Sequence, residues 1–139
     1  MNTLNFETGV VTYSVNNGTC EISFNPTDSA FVEKLFNAFD ALYKKQEAYK
    51  AEIERVADKR EIFEIARKRD AEMREIIDGI FGPVSNSLFG DMNVYALAGG
   101  LPVWCNFLLA VIDEIDTAFA REQKATNPRI AKYTAKYHK

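Results

Sequence analysis

Histidine is almost absent from the chain: His138 is the single one, and it stands beside the last residue, where no flanking structure can hold it in a site. Triads and most acid–base chemistry lose their usual proton carrier with it. Cysteine is nearly as scarce, and Cys20 and Cys105 form no CxxC pair. That spacing signals neither a zinc site nor a disulfide framework and leaves a reducing cytoplasm as the expected compartment. The seven glycines match neither G-x-G-x-x-G nor a Gly-Lys-Ser/Thr phosphate cradle, so no cofactor and no metal is expected. Met1 to Phe6 lacks a basic segment leading into an apolar run, and no secretory signal is expected.

What the chain does have is the balance of a globular protein: 139 residues, 47% apolar and 27% charged. The expected organisation is one helical domain over residues 1–124 with a hairpin at 10–24, followed by a basic, flexible tail over 125–139. The net charge of −3 is uneven, since residues 1–122 hold 12 basic against 20 acidic side chains and the rest carry no acid. An acidic body repels nucleic acid, which is not expected as a partner. The tail alone offers a contact for a polyanion or an acidic protein, or has no binding role.

Val10 to Phe24 alternates apolar and polar residues about Asn17-Gly18. Pairing Val15 with Cys20, Tyr13 with Ile22 and Val11 with Phe24 puts all six on one face, and Asn17-Gly18 suits a type I′ turn. Asn25-Pro26-Thr27-Asp28 then opens a helix, with Asn25 or Asp28 as its cap. No glycine or proline follows until Gly79. Leu35, Phe39, Leu42, Gln46, Tyr49, Ile53, Val56, Arg60 and Phe63 form a heptad seam with polar members, and the seam then slips to Ile62, Ile65, Ala66, Met73, Ile76, Ile77 and Ile80. Glu64–Lys68 and Asp70–Arg74 are spaced as helix-supporting pairs. One unbroken helix here would run about 80 Å, wider than a small domain, so a bend, a break or an oligomeric partner is expected.

Ile80-Phe81-Gly82 and Leu88-Phe89-Gly90 place two apolar-Phe-Gly units eight residues apart, which reads as a built corner rather than a catalytic motif. Gly79, Gly82, Gly90, Gly99 and Gly100 are all assigned to corners. Phe81, Leu88 and Phe89 have two open readings, completion of the core or an exposed knob for a partner. Met92 to Ile112 carries no charge. Its length invites a membrane span, but Gly99-Gly100-Leu101-Pro102 interrupts it and Asp91 and Asp113 flank it, so no membrane association is expected. The preferred reading is a central helix from about Pro102 to Lys124 with Trp104, Phe107, Leu108, Val111, Ile112, Ile115 and Phe119 facing the core. Asp113, Glu114 and Asp116 then form its solvated side. The expected fold class is α+β, mostly α, with an N-terminal hairpin packed on a small helical bundle that includes a long charged helix.

Those features together resemble tail assembly chaperones of siphophages and prophages of Gram-positive bacteria. The resemblance rests on the Asn25-Pro26-Thr27-Asp28 helix start, the charged helical middle, Asp78-Gly79-Ile80-Phe81-Gly82, Phe89-Gly90-Asp91 and the closing apolar helix, over about residues 20–120. It implies a non-enzymatic protein in the cytoplasm of a bacterial host that keeps the helical tape-measure protein soluble and helps recruit tail-tube subunits. Candidate partner-binding residues are Phe81, Gly82, Leu88, Phe89 and Gly90 at the corner, with Tyr49, Ile53, Val56 and Phe63 on the seam. The competing reading is a homo-oligomeric scaffold that uses the seam for self-association.

Overall fold

Two antiparallel strands, β1 (Val11–Val15) and β2 (Cys20–Phe24), open the fold in the computed structural model, which describes residues 1–18 and 20–124. Their register is the one the alternation demands, with Val11 opposite Phe24, Tyr13 opposite Ile22 and Val15 opposite Cys20. Cys20, Ile22 and Phe24 are buried while Glu21 and Ser23 face outward. The turn, however, is centred one residue earlier than expected. Asn16 (φ 47°), Asn17 (φ 60°) and Gly18 (φ 94°) all take positive φ, as expected of Asn17 and Gly18, and the Gly18 amide donates to the Val15 carbonyl at 3.2 Å, which puts Asn16 and Asn17 at the centre. Asparagine tolerates the left-handed region well enough to fill both central positions.

Helix α1 (Ser29–Glu54) is capped by Asp28, whose carboxylate accepts from the Ala30 amide at 3.0 Å. Asn25 is not the cap. Its Oδ1 accepts from the amide and hydroxyl of Thr27, and its amide group donates to the Thr8 carbonyl, tying the approach to the hairpin. Of the outcomes open for the long charged helix, the chain takes a break: α1 stops at Glu54, and α2 (Lys59–Phe81) begins after Asp58, which caps it through the Arg60 amide at 2.9 Å. The heptad seam is therefore divided between two packed helices. Its first half already faces the protein's own core, with Leu35 and Leu42 fully buried. Gln46, a polar member of the seam, accepts a hydrogen bond from the Trp104 indole at 2.8 Å. A polar residue sits there because a buried indole N–H requires an acceptor.

A short helix, α3 (Ser85–Phe89), lies between the two Phe-Gly units. Gly79 is not a corner residue, since it lies inside α2, whereas Gly82 and Gly90 take the φ of 86° and 57° that end α2 and α3. Two-residue strands β3 (Leu97–Ala98) and β4 (Leu101–Pro102) pair around Gly99-Gly100 and feed α4 (Val103–Lys124). Trp104, Leu108, Val111 and Ile115 are buried as expected; Ala118 and Cys105 join them, while Phe119 stays 37% exposed. No helix among the described residues is long and apolar enough to cross a membrane. Over the described residues the architecture is α+β, with an N-terminal two-strand hairpin, four helices and the short β3–β4 pair.

The core is a single cluster joining β2, α1, α2, α4 and Val94. Phe24 stacks on Tyr13 and Phe31 with centroids 4.8 and 4.7 Å apart, and Phe81 meets Phe31 and Phe107 edge-on at 5.8 and 5.2 Å. Each such pair adds about 0.5–1.5 kcal/mol beyond simple burial. The hairpin is held at its outer side by the Tyr13 hydroxyl, which donates to Glu114 at 3.1 Å.

Candidate functional site

The two groups of candidate residues fall in different environments. At the corner, Phe81, Leu88 and Phe89 are half-buried and pack against the core. The corner is held less by its glycines than by a polar ladder along α2, in which the expected Asp70–Arg74 pair forms and binds the loop as well. Asp78 accepts from the Val84 and Ser85 amides at 3.0 and 2.7 Å and from the Ser85 hydroxyl at 2.8 Å, and so caps α3 from another helix. Val84, the residue at that cap position, makes no side-chain cap bond of its own. One turn earlier, Arg74 pairs with Asp70 at 3.0 Å and donates to the Gly90 and Met92 carbonyls at 2.8 and 2.7 Å, with the Phe89 ring 5.7 Å from its guanidinium carbon. Asp70 accepts from the Val94 amide at 2.8 Å. Asp70, Arg74 and Asp78 recur every fourth residue, so one face of α2 satisfies the loop backbone over residues 84–94. Leu88 and Phe89 also line a groove of about 290 Å³ with Val15 and Phe107 beneath the hairpin tip.

The seam residues meet at the loop end of the α1–α2 hairpin. Tyr49 stands between two grooves. One, of about 610 Å³, lies between the helices and includes Val56 and Ile65. The other, of about 450 Å³, includes Ile62, Phe63 and Tyr95. Ile53 is half-buried one turn beyond Tyr49 on α1. No residue from 43 to 72 is fully buried, so this end is covered far less than the rest.

Charges cross the first groove in a lattice. Arg69 donates to both carboxylate oxygens of Glu52 at 2.9 and 3.0 Å and also to Glu72, which Lys45 approaches at 3.7 Å. The Arg69 hydrogen bonds hold the Glu52 carboxyl below its ordinary value, and the same bonds raise Arg69 further. Tyr49 and Tyr95 stack with centroids 4.2 Å apart, and burial pushes both phenols up, with Glu52 adding to the effect at Tyr49 and Tyr49 itself at Tyr95. The Tyr95 hydroxyl is buried and has no hydrogen-bond partner among the described residues. No group of three or more His, Cys, Asp and Glu among those residues is placed to hold a metal ion. Cys20 and Cys105 are free and buried, and burial raises the Cys105 thiol. The basic tail lies outside the described residues.

This arrangement can hold apolar side chains against charged helix surfaces. Tyr95 and the polar ladder complete the two candidate regions; the spacing of Asp70 and Arg74 and the corner motif at Asp78 marked the ladder residues without showing that they bind the loop backbone, and Tyr95 had no separate signal in the sequence. Comparison with family models, with curated proteins and with solved structures finds no match for this chain.

Proposed function

We propose that the protein is a non-catalytic helix-binding chaperone, and that its clients are the tape-measure and tail-tube proteins of the phage assemblies whose chaperones it resembles. One observation carries the reading: residues 43–72 form a helical hairpin with no fully buried side chain, and its Tyr49 is flanked by two grooves. Amphipathic client helices are recognised by hydrophobic grooves, and the groove with Tyr49, Ile62, Phe63 and Tyr95 offers such a lining. Several copies bound weakly along one long client would hold it soluble by multivalency and still leave during assembly.

The test is co-expression with a helical fragment of a siphophage tape-measure protein. A client that becomes soluble and co-purifies supports the reading, and a client that stays insoluble at equal expression overturns it.

Self-association is a second reading, favoured by Phe36 and Tyr43, which lie one above the other on α1 and are 49% and 55% exposed. It no longer rests on a continuous seam, because Leu35 and Leu42 are spent on the protein's own core. Sedimentation of the purified chain separates the two, since a stable oligomer indifferent to the tape-measure fragment fits only the second.

A further inference from the structure

The smaller of the grooves beside Tyr49 has a wall fixed in advance, an uncovered rim and an excess of positive charge beside it. Its wall is the turn carrying Tyr95, held by three bonds. Asn93 donates to the Ala66 carbonyl at 3.1 Å and accepts from the Tyr95 amide at 2.9 Å, and the Val94 amide donates to Asp70. The stacked Tyr49–Tyr95 pair is therefore set in place before any ligand arrives, which lowers the ordering cost of binding. At the rim, Phe63 is 60% exposed and Leu97, two residues beyond Tyr95, is 73% exposed.

The charge follows from helix geometry. Lys59, Arg60 and Arg67 lie four before, three before and four after Phe63, so they share its side of α2. None of the three forms an ion pair among the described residues. The acid on that side, Asp70, is committed to Arg74 and the Val94 amide. Glu64 lies four residues after Arg60 and three before Arg67 and so stands beside both on the helix surface, yet it forms no ion pair among the described residues. Lys59, Arg60 and Arg67 against that one acid still leave an excess of positive charge beside the aromatic groove of a protein whose net charge is −3.

We propose that this groove docks an acidic amphipathic helix of a partner protein, with apolar side chains against Tyr49, Phe63 and Tyr95 and carboxylates against Arg60 and Arg67. The proposal deepens the chaperone reading and rests on it for the existence of a helical client. Apolar contact supplies the affinity, and the cations select the sign of the partner and speed encounter.

The experiment uses the full chain and two fluorescein-labelled helical peptides of about 20 residues, alike in a leucine stripe but flanked by Glu in one and Lys in the other. Fluorescence anisotropy is expected to show the Glu peptide binding at least about tenfold more tightly, with the difference shrinking as salt is raised. Phe63→Ser is expected to weaken the Glu peptide by about tenfold, and Arg67→Glu to abolish the preference between peptides. Both side chains are exposed, so thermal unfolding of each variant is expected to match the parent. Absence of binding by the Glu peptide, equal binding of both peptides, or binding unchanged in both variants overturns the proposal. If the Phe63→Ser and Arg67→Glu variants still solubilise a tape-measure fragment that the parent solubilises, this groove falls while the chaperone reading stands.

Discussion

At Gly79 and Gly82, three residues apart, the same substitution has opposite consequences. Gly79 lies in the interior of α2 with open space where a Cβ would sit, so Gly79→Ala removes backbone entropy from the unfolded chain and stabilises by about 0.5–1 kcal/mol. Gly82 also has open space around it, yet its φ of 86° with ψ of −176° belongs to glycine almost alone. Gly82→Ala costs roughly 1–3 kcal/mol from conformation, without any clash. Urea unfolding of the two variants checks the pair, and midpoints moving the same way would contradict the assignment. Arg74 carries more, because its side chain is 14% exposed and it holds Asp70 and two loop carbonyls together. Arg74→Ala leaves Asp70 partly buried without its cation and is expected to lower unfolding stability by about 3–5 kcal/mol. Arg67→Ala, on the exposed rim, is expected to stay within about 0.5 kcal/mol of the parent in the same measurement.

Elements show how far the sequence could be read. The hairpin register was legible because strict alternation over Val11–Val15 and Cys20–Phe24 admits one pairing with a buried face. The centre of the turn was displaced because Asn16, Asn17 and Gly18 all accept positive φ, and sequence alone does not rank the two central pairs they offer. The break at residues 55–58 contains no glycine or proline; its marks are Asp58 with Glu61 three residues later, a capping pattern, and the slip of the apolar seam. Tyr49 and Phe63 were found as seam members, and the fold does bring them to one groove, across a break rather than along one helix. Tyr95 was hidden in the uncharged run from Met92, whose apolar character says that it is covered but not by what. The α1–α2 pairing now has a pH signature. Arg69 lowers the folded Glu52 carboxyl, so the contribution of that pair is complete above the ordinary carboxylate range and is lost as pH falls through the lower folded value. Acid titration followed by circular dichroism is expected to show the parent losing more stability below that range than Glu52→Gln, which has no such proton to bind. Parallel losses in the two proteins would contradict the linkage.

Across the whole molecule, cover is distributed along a gradient. Every buried apolar residue of α1 and α2 lies in the half next to the hairpin and α4: Leu35 and Leu42 on one helix, Met73 and Ile77 on the other. From residue 43 to 72 the helices are held by backbone bonds, the Glu52–Arg69–Glu72 lattice and the Tyr49–Tyr95 stack. With no fully buried side chain from 43 to 72, this end opens at a lower free energy than the cluster around Trp104. A groove that admits and releases client helices belongs at such an end, since the elements that move on binding are drawn from the less stable part of a fold. Native-state hydrogen exchange reads the gradient directly. Amides of residues 46–66 are expected to exchange through local opening, well before those of Leu35, Leu108 and Val111, which wait for global unfolding. Adding the acidic helical peptide is expected to slow exchange chiefly in residues 46–66 and around Tyr95, because a ligand protects most where it ties down what was free to open. Uniform protection along α1 and α2 in the free protein would remove the gradient. Slowing confined to the hairpin tip and the Phe107 groove would instead move the client to the Phe-Gly corner.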